Sequence, residues 1–357
     1  MRPPGLSDVA LWEASASGMS ETALREMEIF DGLPLAPVTR ADVETALEAA
    51  GLGPDDLIGK MPPLSVPAVA ASVAICALLA GCEPAQFPVV VAATKAIADA
   101  AFNGLGVLTT TGTAAVTTIV SGPVGRTFNS GANLLGPGHR ANASVGRAIA
   151  LTARVIGGAL PGLTDMATMG QPGKYTFCFA ENESQNPWGP LHADRGVAPE
   201  QSAVTVFAAS GTVEVTNVHA ASADEIVDTL AAALFLPGTL DFDRGLTGGG
   251  RCLVLISPDW AAILAADGLS RAETCLRLCS RATWPVSALP PGLRQPLLAA
   301  RRRDGLPESG AKISAVESPT DILMVVAGGV GTKQTLIPCW AGGSQPVTAV
   351  VDSAVAA

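Results

Sequence analysis

Charge is scarce in this chain: Asp, Glu, Lys and Arg make up 15 % of 357 residues, where about a quarter is usual for a soluble domain. A surface so poor in charge is either covered by another subunit or built from Ala, Gly, Ser and Thr, and an oligomer is expected. The charge that exists is acidic, 32 acids against 22 bases for a net −10. No nucleic-acid partner is therefore expected, because such a surface needs clustered Lys and Arg. The one basic cluster, Arg301 to Arg303, is followed at once by Asp304 and reads as a helix end. The seven cysteines form an odd set without framework spacing, which excludes a disulfide scaffold and indicates a reduced compartment. The stretch MRPPGLSDVALWEASASG lacks the apolar core of a secretory signal, so a cytoplasmic location is expected. Leu64 to Gly81 is apolar but short, rich in Ala and interrupted by Pro67. It reads as a buried core helix, and no membrane partner is expected. No GxSxG, HExxH or CxxC occurs. Cys275 and Cys279 share a helix face without further ligands nearby and His219 is isolated, so neither metal nor cofactor is expected.

Hydrophobic residues, at 48 %, suffice for a full core, and the length suits two domains or two fused halves. Residues 1–38 are polar and Pro-punctuated and read as an N-terminal arm. Thr39 caps a helix through ADVETALEAAGL, with Asp42 completing a capping box and Gly51 as the stop. Two Ala-rich helices are predicted over residues 66–79 and 84–101, and one or two strands over 106–120. A helix starting after GPGH runs to about Ile156, and YTFCFA reads as a strand with alternating Tyr175, Phe177 and Phe179. From residue 204 on, strands (VTVFAA, TVEVTN, RCLVLISP, DILMVVAGG, PVTAVV) alternate with helices (DEIVDTLAAALF, DWAAILAADGLS, RAETCLRLCSRAT). The expected fold class is α/β, of mixed α+β character, as two fused layered halves: residues 39–203 and 204–357. A short echo between IVSGPVGRT (119–127) and VVAGGVGTK (325–333) points to two related halves.

Three polar clusters interrupt the apolar sequence. In GPGHRANASVGRA a turn at Gly138 runs into a helix whose first turns carry Arg140, Asn142, Ser144 and Arg147. A helix start offers unpaired N–H groups and a positive dipole end, so the two arginines read as part of an anion seat. The alternative is an ordinary helix start with two solvated arginines. Its GxGxxA spacing does not mark a dinucleotide site, because no strand leads directly into it. In GKYTFCFAENESQNPWGPLH, Glu181 and Glu183 follow a strand, and Lys174 and His192 lie in the same segment. Two nearby carboxylates can divide acid and base roles, and a loop histidine is a candidate base. The alternative is that the acids cap a loop and the histidine lies at the surface. In GGVGTKQT, the spacing rules out a phosphate loop of the nucleoside-triphosphatase kind, yet the backbone with Thr332 and Lys333 can cradle one anion. The alternative is a plain glycine turn.

The segments GPGHRANASVGRA, GQPGKYTFCFAENE with PWGPLH, and LVLISPDWAAILAADGLS resemble a bacterial family. It includes the larger component of the two-component enzymes that close an aziridine ring by sulfate elimination in azinomycin-type biosynthesis. The resemblance spans most of residues 40–340. It implies a lyase that works with a small second protein subunit on an anionic, amine-bearing, sulfated amino-acid-type substrate; the alternatives are another lyase or a hydrolase acting on a small anionic metabolite, and a non-catalytic subunit of a heteromeric enzyme. Sulfate leaves without needing a proton if cations and N–H groups support it, and a base takes the proton of the attacking amine. On that expectation Gly138, Arg140, Asn142, Arg147 and Tyr175 bind the substrate with its leaving sulfate. Thr332 and Lys333 hold a second anion, and Glu181, Glu183, His192 and Lys174 form the catalytic set.

Overall fold

The structure is a computed structural model and describes residues 30–239 and 250–353. The arm expected over residues 1–38 lies outside the described residues apart from 30–38. The chain is a mixed α/β protein, and its contacts divide it into two compact units. Among the described residues the first comprises 30–181, 190–208 and 344–353, and the second 182–189, 209–239 and 250–343. No helix among the described residues is long and apolar enough to cross a membrane.

The first unit begins with α1 (Arg40–Ala50). The Thr39 side chain accepts the Asp42 N–H, Asp42 reciprocates, and Gly51 ends the helix in the left-handed region at φ 64°. A hairpin follows, β1 (Leu57–Met61) against β2 (Val66–Val69), and then α2 (Ala70–Leu79) and α3 (Phe87–Ala98). The helix predicted over 66–79 is thus shorter than expected. Pro67 and the flanking valines suit a two-stranded edge better than a first helical turn. The helix predicted over 84–101 likewise starts at Phe87 and stops at Ala98. The strand expected at 106–109 is a short helix, α4 (Gly104–Thr109), started by the Asn103 side chain. β3 (Ala115–Ser121), α5 (Arg140–Leu151), β4 (Cys178–Ala180), the four-residue α6 (Leu191–Asp194) and β5 (Ala203–Ala209) follow. α5 continues through a wider turn at Thr152–Ile156, which matches the predicted end. The strand predicted in YTFCFA is confined to Cys178–Ala180, because Pro172 and Gly173 put Lys174 and Tyr175 in and just after a tight turn.

The second unit holds β6 (Val213–Thr216), α7 (Ala223–Ala233), β7 (Cys252–Ile256), α8 (Pro258–Ala266) and α9 (Arg271–Arg281). β8 (Thr283–Pro285), α10 (Pro291–Arg303), β9 (Lys312–Ser314), β10 (Ile322–Val326) and β11 (Lys333–Pro338) complete it. Its core joins α7, α8 and α9 to β7 and β10 around the fully buried Trp260. Cys275 lies in this core and Cys279 packs against it, each near a backbone carbonyl. The last strand, β12 (Val347–Val350), returns to the first unit.

The main sheets run β12-β5-β3-β4 and β10-β7-β11-β6. In each, a central strand pairs in parallel with a strand reached through helices; β7 is a wholly buried apolar run, as a strand covered on both faces requires, and β3 is buried except at the half-buried Val116. The registers correspond. Val120 lies opposite Ala180, and the Glu181 N–H donates to the Val120 carbonyl; Ile256 lies opposite Val326, and the Ala327 N–H donates to the Ile256 carbonyl. The edge pairs correspond too, with Val206 opposite Val347 and Leu336 opposite Val213, both antiparallel. β3 therefore matches β7, and β4 matches β10. The echo between 119–127 and 325–333 does not mark this repeat, since it would superpose β3 on β10. Each half also contributes its final strand to the other sheet: β6 follows β5 in the chain, and β12 follows β11.

Candidate functional site

The anion-seat residues are engaged within the first unit. Gly138 has φ 123° and His139 precedes the helix without a side-chain cap bond. Arg140 is exposed; its Nε and Nη2 donate to the Gly81 carbonyl at 3.2 and 3.1 Å, beyond the end of α2. A cation there complements the negative end of that helix. Asn142 is buried, accepts the Asn129 N–H at 2.8 Å, and donates to the carbonyls of Asn129 and Leu134. It staples the loop before α5. Arg147 grips Asp31 with two charge-assisted bonds of 2.7 and 2.9 Å and also donates to the Pro34 and Leu33 carbonyls. Burial opposes the charge on Asp31, but Arg147 and the Leu33 N–H outweigh it and hold the carboxyl below its ordinary range. These side chains organise the loop, the α2 terminus and residues 30–36.

Lys174 and Tyr175 open on a different feature, a cavity of about 680 Å³ in the first unit. Its charged wall is Asp31, Arg154, Asp165 and Lys174, with the half-exposed Tyr175 beside them. Lys174 Nζ donates to both Asp165 oxygens at 2.8 and 2.7 Å. Burial works against the charge of Arg154, while Asp31, Asp165 and Tyr175 favour it; a guanidinium in such a site remains cationic. Leu108, Ala115 and Met169 add apolar surface to the lining. Two cations, two carboxylates and a phenol thus line one concave space of the size that takes a small metabolite. Asp31, Arg154 and Asp165 carry no motif in the sequence that marks them as neighbours. The one accessible hint was Asp165, nine residues before Lys174 in the same polar loop.

Glu181 and His192 form a second constellation in the same unit, and neither lines the cavity. Glu181 leaves the end of β4 beside Ser121, the last residue of β3. The Ser121 hydroxyl donates to its carboxylate at 2.9 Å, and the Leu191 N–H reaches both oxygens at 3.0 and 2.8 Å. His192 is completely buried rather than superficial; Nε2 lies 3.4 Å from the Pro199 carbonyl and Nδ1 has no hydrogen-bond partner. A ring nitrogen of His192 and a carboxylate oxygen of Glu181 lie within 4.8 Å of each other. Glu183 begins a tight turn, Glu183–Gln185, in the second unit and is half-buried.

In the second unit the glycine turn carries its own anion. The Gly331 N–H donates to the Asp259 carboxylate in the first turn of α8, which occupies the position expected for a ligand. Thr332 is half-buried, and Lys333 opens β11, exposed and 3.4 Å from Glu214. The residues expected to share one pocket therefore divide between a cavity holding Lys174 and Tyr175, a buried Glu181–His192 pair, and engaged structural contacts. The cause is that the loop over 160–175 turns back on β3 instead of leading straight into β4, so Lys174 and Glu181 part company. Comparison of the chain with protein-family models, curated proteins and solved structures finds no match.

Proposed function

We propose that the chain is an enzyme acting on a small amine-bearing, acidic metabolite held in the cavity of the first unit. The reaction is ring closure by internal displacement of sulfate, carried out with a small partner protein. The observation that carries this reading is the Lys174–Asp165 pair in the cavity wall, backed by Arg154 and Asp31. A substrate bearing both an ammonium and an acid group presents opposite charges to that pair. When the acid group takes Lys174, the Asp165 carboxylate is released and accepts a proton from the ammonium, which frees the nitrogen lone pair. The amine nitrogen then forms a bond to the neighbouring carbon as the C–O bond to sulfate breaks. Sulfate leaves with the bonding electrons toward Lys174 and Arg154, and the ring nitrogen emerges as the protonated cyclic amine, which loses its proton to water. Preorganised cations facing a developing anion and a fixed antiperiplanar geometry are the means a protein has for such a step. The sequence resemblance supplies the reaction class, and the paired charges fit its substrate.

Inorganic sulfate and cyclised product are measured with the chain, a candidate small partner and a sulfated 1,2-amino acid derivative. Lys174→Ala and Asp165→Asn are each expected to lower kcat/KM at least about 100-fold with an unchanged circular dichroism spectrum. Consumption of the substrate without release of sulfate and formation of the ring, or full activity in both variants, overturns the reading.

A further inference from the structure

Away from the cavity, His192 presents a buried atom with nothing to bind. A neutral imidazole has one N–H and one lone pair. With Nε2 directed at the Pro199 carbonyl, 3.4 Å away, the proton belongs on Nε2 and the lone pair on Nδ1. Nδ1 is buried and unpartnered. A backbone carbonyl holding one ring nitrogen so that the other is bare is the arrangement that orients metal-binding histidines. On the other side, Ser121 and Leu191 fix the Glu181 carboxylate in one orientation, again the support a ligating carboxylate receives from outside its first shell. The two side chains approach within 4.8 Å without a hydrogen bond between them being needed to place either. Nitrogen and oxygen ligands at about 2.0 to 2.2 Å from one ion stand roughly 3 to 4 Å apart, which fits that bound.

We propose that Glu181 and His192 hold a divalent transition-metal ion. One imidazole and one carboxylate suit zinc, manganese or ferrous iron and do not suit calcium, which takes oxygen ligands. Glu181 and His192 provide two ligands, and water or an added ligand would complete the coordination of the ion. The residues involved are distinct from the charged wall of the cavity, and the site stands or falls independently of the proposed ring closure.

The purified full-length chain, stripped with a chelator, is titrated with Co²⁺ and then Zn²⁺, with no substrate present. Saturable binding of one ion is expected, with visible cobalt absorption displaced by Zn²⁺. His192→Gln and Glu181→Gln are expected to weaken it at least about 100-fold, and Ser121→Ala, which removes only the orienting hydroxyl, about 10-fold. Because the chain has three histidines, ring ¹⁵N spectra of the unmodified protein give an answer even if a variant misfolds: Zn²⁺ should shift the His192 Nδ1 resonance alone. Absence of saturable binding, binding unaffected by either ligand variant, or a His192 ring signal indifferent to Zn²⁺ overturns the proposal.

Discussion

At the scale of single residues, the arginine that looks like a ligand grip is the clasp of the described end of the chain. Arg147 and Asp31 are largely shielded from solvent, with side chains 13 % exposed on each partner. Arg147→Ala takes the guanidinium from the Leu33 and Pro34 carbonyls and from Asp31, which keeps the Leu33 N–H, a loss of about 2 kcal/mol for charge-assisted bonds. Faster hydrogen exchange over 30–36 is the expected readout, and unchanged protection there would contradict the clasp. The sign of its pH dependence follows from the depressed carboxyl. The clasp contributes fully above the ordinary Asp value near 3.8 and is lost as pH falls through the lower folded value. Residues 30–36 are therefore expected to stay protected at pH 5 and to open only below about pH 4. The thiols give a second test. Burial pushes the Cys82 thiol up to about 12 and raises Cys178 as well, so at pH 8 roughly one Cys82 in ten thousand is thiolate. Six of the seven cysteines are buried and Cys279 is half-buried. An aromatic disulfide reagent should titrate at most one thiol in the native protein and seven after denaturation.

At the scale of elements, α5 fits against β4 because Gly146 has no side chain. A Cβ there would stand 2.3 Å from Thr176 Oγ1 and 2.7 Å from the Phe177 nitrogen. Gly146→Ala gains about 1 kcal/mol of helix propensity but must push the helix off backbone that cannot yield. Overpacking of that kind costs about 1 to 3 kcal/mol, so the melting temperature is expected to fall. Thr39→Ala removes a cap with its reciprocal partner and should cost about 1 kcal/mol; a rise in stability in either variant would refute the corresponding packing argument. Elements of this kind were legible in sequence to the degree that their determinants are local. The cap at Thr39, the stop at Gly51 and the alternation after residue 204 depend on residues a few positions apart. Strand β2 and helix α4 depart from what composition leads one to expect because pairing with β1 and the Asn103 cap decide them. The site was legible only in part for the same reason. Lys174, Tyr175, Glu181 and His192 stand out by residue type, whereas the contact of Asp31 with Arg147 bridges 116 positions, and no spacing rule reports it.

At the scale of the molecule, the repeat with exchanged final strands makes a prediction that neither a plain tandem pair nor a single continuous sheet would make. β12 lies at the edge of the sheet of the first unit, although it follows the last strand of the second in the chain. Its Val350 to Val347 register against Ala203 to Val206 seals β5, α3 packs on it, and the Arg195 side chain donates to Thr348 and to the Pro346 carbonyl. Deleting residues 344–357 therefore damages the unit that is remote in sequence. It leaves β5 as an open edge with unpaired N–H and C=O groups, the arrangement that invites strand addition and aggregation. The sheet of the second unit keeps all four strands, since its own edge, β6, precedes β7 in the chain. In the truncated chain, amide hydrogen exchange is expected to accelerate along β5 and β3 by at least about tenfold while β7, β10 and β11 retain native protection. The opposite pattern, with protection lost around β7 and β11 and kept in β5, would mean that the C-terminal strand belongs with its sequence neighbours and that the two halves do not trade their last strands.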